Sequence, residues 1–172
     1  MKGICFKAYL LIHGCKVGKG LKCYSFPKLR AVPHKNITIG DYVTFGYNCT
    51  LEVTPKGKLV IEDHVNITQN VLLSSNEKIE IGAYTLIGEN VSIRDSEHGI
   101  EKGSKIQIQA SISKAVTIGK DVWIGANTIL LKGSYIANHA VIGANSLVNE
   151  KSNTQEGKVY VGSPIRLIKE RN

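Results

Sequence analysis

His98 closes the segment IRDSEHGI and is the residue of this chain best placed for acid–base chemistry. An imidazole titrates near neutral pH, and a well-positioned general base contributes about 10² to 10⁴ in rate. Asp95, three residues earlier, could bind a substrate, orient the imidazole or accept hydrogen bonds from its own turn. The other histidines, His13, His34, His64 and His139, have no comparable setting and read as surface residues. Gly125-Ala126 and Ala144-Asn145 offer small side chains past which a long ligand could reach main-chain amides. Lys158, Arg166, Lys169 and Arg171 make the C-terminus basic, and an arginine fork suits phosphate.

What must hold these residues is a six-residue rhythm between Ile39 and Asn153. Its first positions are Ile39, Phe45, Leu51, then Ile61, Ile67, Leu73, then Ile81, Ile87, Ile93, then Ile118, Ile124, Leu130, and Ile136, Ile142, Val148. All are apolar, and a period of six fits neither a helix nor an isolated strand. The fifth positions are small or β-branched, from Val43 and Cys49 to Ser146 and Ser152, except Pro55, Glu77 and Glu97 at the ends of triplets. Three hexapeptides make one triangular coil, and stacking coils buries the apolar positions in one column. The predicted fold is an all-β parallel β-helix of five or six coils, with a weaker first coil through Val17, Cys23 and Leu29.

The prediction treats residues 1–172 as one domain: a lead-in over 1–38, the prism over 39–153 and an irregular or helical tail over 154–172. Residues 99–117 leave the rhythm directly after His98, and a long loop on a rigid scaffold is usually functional. Gly125-Ala126 and Ala144-Asn145 then fall at corners of adjacent coils, stacked along one edge. Trp123, the sole tryptophan, occupies an outward position and needs cover from a substrate or a second subunit.

The chain has 172 residues, 17 of them glycine, and a net charge of +8, which favours anionic partners. Nucleic acid is disfavoured, because the basic residues are scattered and only seven Tyr, three Phe and one Trp could stack bases. Cys5, Cys15, Cys23 and Cys49 show no CxxC pair, so reduced thiols, a cytoplasmic setting and no metal site are expected. The N-terminal ICFKAYLLI is too short to span a bilayer and reads as an amphipathic helix or interfacial strand, with no integral membrane segment.

Over residues 39–168 the chain resembles the hexapeptide-repeat acetyltransferases. The resemblance rests on IRDSEHGI, the loop after it, VTIGKDVWIGANTILLKG, AVIGANSLV and YVGSPIRLIK in that order. It implies a left-handed β-helix, a homotrimer with sites between prisms, acetyl-coenzyme A as donor and transfer to a saccharide hydroxyl. It further implies His98 as general base, Trp123 near that base at a subunit boundary, and Gly125, Ala126, Ala144 and Asn145 along the pantetheine arm. The Ala126 amide would serve the thioester oxygen, and Arg166, with Lys169 as a weaker neighbour, the nucleotide phosphates. Asp95, Trp123 and Asn70 are the candidate acceptor contacts. Two departures concern the acceptor: Gly99 and Ser163 stand where saccharide acetyltransferases of this kind place proline or Asn-Pro. Thr68 aligns with an acceptor-binding asparagine, which leaves that contact absent or moved to Asn66 or Asn70. Competing expectations are an N-acetyltransferase, a carbonic anhydrase on the same prism, for which His64, His98 and His139 lack the paired spacing, and a non-catalytic scaffold.

Overall fold

The structure, a computed structural model, describes residues 1–171. After the helix Lys2–Ile12 the chain winds through short strands that pair in parallel with strands one coil away. The first sheet holds Lys16–Val17, Ile37–Ile39, Leu59–Ile61, Ile79–Ile81, Val116–Ile118 and Tyr135–Ile136. The second holds Lys22–Cys23, Thr44–Phe45, Asn66–Ile67, Leu86–Ile87, Trp123–Ile124 and Val141–Ile142, then Lys158–Val161 and Arg166–Glu170. The third holds Lys28–Leu29, Thr50–Val53, Leu72–Ser75, Ser92–Arg94, Ile129–Leu130 and Leu147–Val148. They form the faces of a left-handed triangular β-helix with six complete coils and the start of a seventh. We call the corner between the first and second sheets the first edge, that between the second and third the second edge, and the remaining one the third edge.

The rhythm becomes register. Phe45, Ile67, Ile87, Ile124 and Ile142 pair in succession on the second sheet, and the other faces stack in the same way. None of the fifteen predicted first-position residues is more than 2 % exposed. Stacking of like on like supplies the buried area that a single coil lacks. The weak first coil is present, with Val17, Cys23 and Leu29 beneath Ile39, Phe45 and Leu51. Its open end is closed by the helix, whose Phe6 and Leu10 are fully buried and whose Phe6 ring meets Phe26 and Phe45 edge-on at 5.0 and 6.2 Å.

Two boundaries differ from the sequence expectation. The excursion is a β-hairpin arm rather than a free loop: Ser96–His98 pairs antiparallel with Ser111–Ser113, and the chain re-enters the core at Val116. Gln109 ties the arm by bonding Glu101 and Ser104. The tail is neither irregular nor helical, because Tyr160 stacks on Ile142 and continues the core column, which draws Lys158–Val161 and then Arg166–Glu170 into the second sheet.

Candidate active site

The arm departs at the third edge. Its root is Asp95, which is fully buried and accepts hydrogen bonds from the Ser75 hydroxyl at 2.8 Å, the Asn76 amide at 2.7 Å and the Glu77 amide at 2.9 Å. These donors engage both carboxylate oxygens, and Asp95 makes no hydrogen bond to His98. It fastens the arm to the coil below. Asn76 Nδ2 donates to Ser96 Oγ at 2.6 Å and Glu97 pairs with Lys132 at 3.2 Å, so the strand carrying His98 is held from both sides.

His98 is exposed and stands opposite Ser111 in the arm. Directly opposed residues of an antiparallel pair project to one face, and Ser111 lines an open groove of about 480 Å³ together with Thr54, Pro55, Lys56, Asn76 and Ser113. Sequence reasoning missed this groove. Its residues come from three separate coils and carry no local signature.

Gly125, Ala126, Ala144 and Asn145 line the second edge. The equivalent pairs are Gly125-Ala126 and Gly143-Ala144, so Gly143 is the member that the sequence reading overlooked although it lies one coil from Gly125 in the same phase. Glycine is needed there: a Cβ on Gly125 would lie 2.5 Å from the Ala144 nitrogen of the next coil. The Asn145 amide donates to the Ala126 carbonyl at 2.8 Å. The Ala126 and Ala144 amides themselves have no acceptor among the described residues. Asn127 and Asn145 adopt left-handed backbone with φ of 57°. Above them the turn after Val161 continues the edge, the Leu147 amide donating to Gly162 and the Gly162 amide to Ser146 Oγ. Arg166, opposite Val161, and Lys169 follow on the outer strand and are both exposed.

Asn70 lies on the same edge, also left-handed, and its Nδ2 donates to Asn90 Oδ1 at 3.1 Å, while Asn90 Nδ2 reaches Asn127 Oδ1 at 3.0 Å. Asn70 is therefore a rung of a ladder of asparagines, and it is exposed. Trp123 is 52 % exposed on the second sheet between Leu86 and Val141. In a triangular prism that face lies opposite the third edge, so a single chain does not bring Trp123 to His98. Arg171 is exposed but paired: its guanidinium donates to Asp121 Oδ2 at 2.8 Å. His139 Nδ1, at 2.9 Å, and Arg171 together hold the Asp121 carboxyl below its usual range.

The thiols are unsuited to nucleophilic work. Burial pushes Cys15 and Cys49 upward and Cys23 to about 11, so these three remain protonated at neutral pH. No group of three or more His, Cys, Asp and Glu that could hold a metal occurs among the described residues of the chain.

Comparison with known proteins gives the family. Residues 115–150 match the bacterial transferase hexapeptide (six repeats) model. A protein of Escherichia coli K12, provisionally named as the lipopolysaccharide biosynthesis O-acetyl transferase WbbJ, is 34% identical over 145 residues, covering 80% of this chain and 73% of its own. The galactoside O-acetyltransferase of the same organism is 30% identical over 138 residues, 80% of this chain and 55% of that protein, so the chain spans little more than half of that relative. Among solved structures, the N-acyltransferase AntD from Bacillus cereus, in complex with dTDP and 3-hydroxybutyryl-CoA, superposes with a TM-score of 0.81 at 24% identity, covering 96% of this chain and 88% of AntD. That likeness concerns the fold. The chain belongs to the hexapeptide-repeat acetyltransferase family.

Proposed function

We propose that the protein transfers an acetyl group from acetyl-coenzyme A to a hydroxyl of a saccharide, within clefts between the prisms of a homotrimer. The observation that carries this reading is the division of the site residues between two edges. His98 and the polar groove stand on the third edge, whereas the free amides of Ala126 and Ala144 stand on the second. Packing the third edge of one prism beside the second edge of its neighbour unites them, and covers Trp123.

Acetyl-coenzyme A supplies an acyl group activated as a thioester. The second edge suits its long arm, because Ala126 and Ala144 present amide donors past small side chains, and Arg166 adds a fork for phosphate. Across the cleft, Thr54, Lys56, Asn76, Ser111 and Ser113 offer hydroxyl, ammonium and amide groups to a sugar. His98 takes the proton of the attacking hydroxyl and returns it to the departing thiolate. The Ala126 N–H donates to the oxygen on which charge develops, a contribution of about 10² to 10³ in rate.

Free thiol release in the presence of sugar acceptors tests this reading. His98→Ala should lower turnover by about 10² to 10⁴ with an unchanged melting temperature, and full residual turnover would sink it. Ala126→Pro deletes one N–H. Mixing dissociated His98→Ala and Ala126→Pro chains and reassembling them should restore activity, since one cleft then receives an intact His98 from one chain and an intact amide from the other. No recovery would place both residues of a site in one chain. Comparing hydroxyl and amino sugars in the same assay decides between oxygen and nitrogen.

A further inference from the structure

The end of the prism covered by the helix carries a surface that the transferase reading does not use. Residues 1–40 contain Lys2, Lys7, Lys16, Lys19, Lys22, Lys28, Arg30 and Lys35, and no aspartate or glutamate. These eight basic residues equal the net charge of the whole chain, +8, so residues 41–172 are balanced. Lys16, Lys22 and Lys28 each occupy the outward position of one strand of the first coil, one per sheet. They form a ring around the end of the prism. All three are exposed and have no ion pair among the described residues, unlike Lys19 and Arg30, which pair with Asp41 and Glu52 of the second coil.

Inside the ring the helix lies across the end of the core. Its inner side buries Gly3, Phe6 and Leu10. Its outer side is apolar as well, with Met1 98%, Ile4 74%, Leu11 48% and Ile12 82% exposed, and Val32 beyond it 70% exposed. A helix with apolar side chains on both its inner and outer sides, Lys2 and Lys7 lying between, leaves the outer hydrophobic area unpartnered. An apolar centre within a basic rim matches an anionic bilayer, into whose headgroup region such side chains sink while lysines meet the phosphates. A soluble polyanion would use the rim and leave the centre wet. No helix among the described residues is long and apolar enough to cross a membrane, so the contact would be with its surface.

We propose that this helix-capped end docks the protein on an anionic phospholipid membrane. Under the transferase reading, on which this consequence rests, His98 leaves the fourth coil, three coil steps or about 15 Å above the docked end, within reach of a saccharide carried on a lipid.

Co-sedimentation tests the docking independently of any activity. The full chain should pellet with vesicles of phosphatidylcholine containing about one-third phosphatidylglycerol, and far less with phosphatidylcholine alone. Ile4→Ser/Leu11→Ser/Ile12→Ser should weaken partition at least about tenfold. Lys16→Gln/Lys22→Gln/Lys28→Gln should weaken it by about fivefold per lysine, an effect that raised salt imitates in the unaltered protein. All six positions are exposed, and an unchanged melting temperature verifies each variant. Equal binding to both vesicle types, absence of binding to the anionic ones, or binding untouched by the serine variant and displaced by heparin would overturn the proposal. The last result would assign the ring to a soluble polyanion.

Discussion

The first and second edges are built from one turn and differ in what is done with it. Both place a non-glycine residue in left-handed backbone, Tyr42, His64, Tyr84, Asp121 and His139 on the first edge and Asn48, Asn70, Asn90, Asn127 and Asn145 on the second. In both, the amide of that residue donates to a carbonyl of the coil below, as His139 does to Lys120 and Asn145 to Ala126, except Asn48, which donates to the Ser25 hydroxyl. On the first edge, however, four of the preceding turn amides are capped by side chains: Lys19 by Asp41, Asp41 by Asp63, Ala83 by Glu62 and Lys120 by Asn138. On the second edge the amides of Ala126 and Ala144 are left without an acceptor among the described residues. The difference teaches that the first edge is largely finished internally, by capping and by the stacked rings of Tyr42, His64 and Tyr84, whereas the second leaves its turn amides uncapped.

A matched pair of proline substitutions can break this comparison. Ala126 and Lys120 both precede a left-handed residue, the turn position at which proline is favoured, so the backbone should accept proline at either. Ala126→Pro removes an unbonded N–H and should leave the melting temperature unchanged while turnover falls by about 10² to 10³. Lys120→Pro removes an N–H bonded to Asn138 at 2.9 Å, and should cost about 1 kcal/mol of stability in a denaturant titration with little effect on turnover. Reversed outcomes would mean that the first edge is the functional one.

The ladder of asparagines sharpens the same contrast. Asn90→Ala loses two side-chain bonds and places alanine in left-handed backbone, so it should destabilise by about 1 to 2 kcal/mol, read as a lower denaturation midpoint. The smallest effect concerns the clasp of Arg171 and His139 on Asp121. Its carboxyl is held below the ordinary value of 3.8, so the clasp is intact at neutral pH and is lost as acid protonates Asp121 below that value. Because the pair is exposed, the contribution is well under 1 kcal/mol. A lower protection of the Arg166–Glu170 amides in acid, relative to their intrinsic exchange rate at the same pH, absent in Arg171→Ala where the clasp is already open, is the expected reading.

Much of the fold was legible because every first-position residue has one task, and the column from Phe45 to Ile142 needs no information from elsewhere. His98 could be found because the rhythm stops beside it. The hydrogen-bond partners of Asp95 and Asn70 were not legible in the sequence, for one physical reason. Their types suit ligand binding, but their partners, the Ser75–Glu77 turn and Asn90, lie a coil away, a separation that the sequence does not mark as contact. Asp95→Ala should accordingly act on stability, by about 3 kcal/mol, because three donors lose a buried carboxylate. The groove beside the arm was invisible for the same reason, and Arg171 could be recognised as a clasp only once the tail was seen to fold back over the second sheet.

Coil length varies at one place only. Ile39, Ile61 and Ile81 stack although 22 and 20 residues separate them, against 18 between Ile118 and Ile136, and the surplus, like the whole arm, is housed at the third edge. Insertions there change the wall of the groove without shifting the amides of Ala126 and Ala144 or the stacked core. Under the proposed function, a lineage of such prisms can thus be re-tailored for new acceptors by altering loop length at a single corner while its grip on the donor is inherited intact.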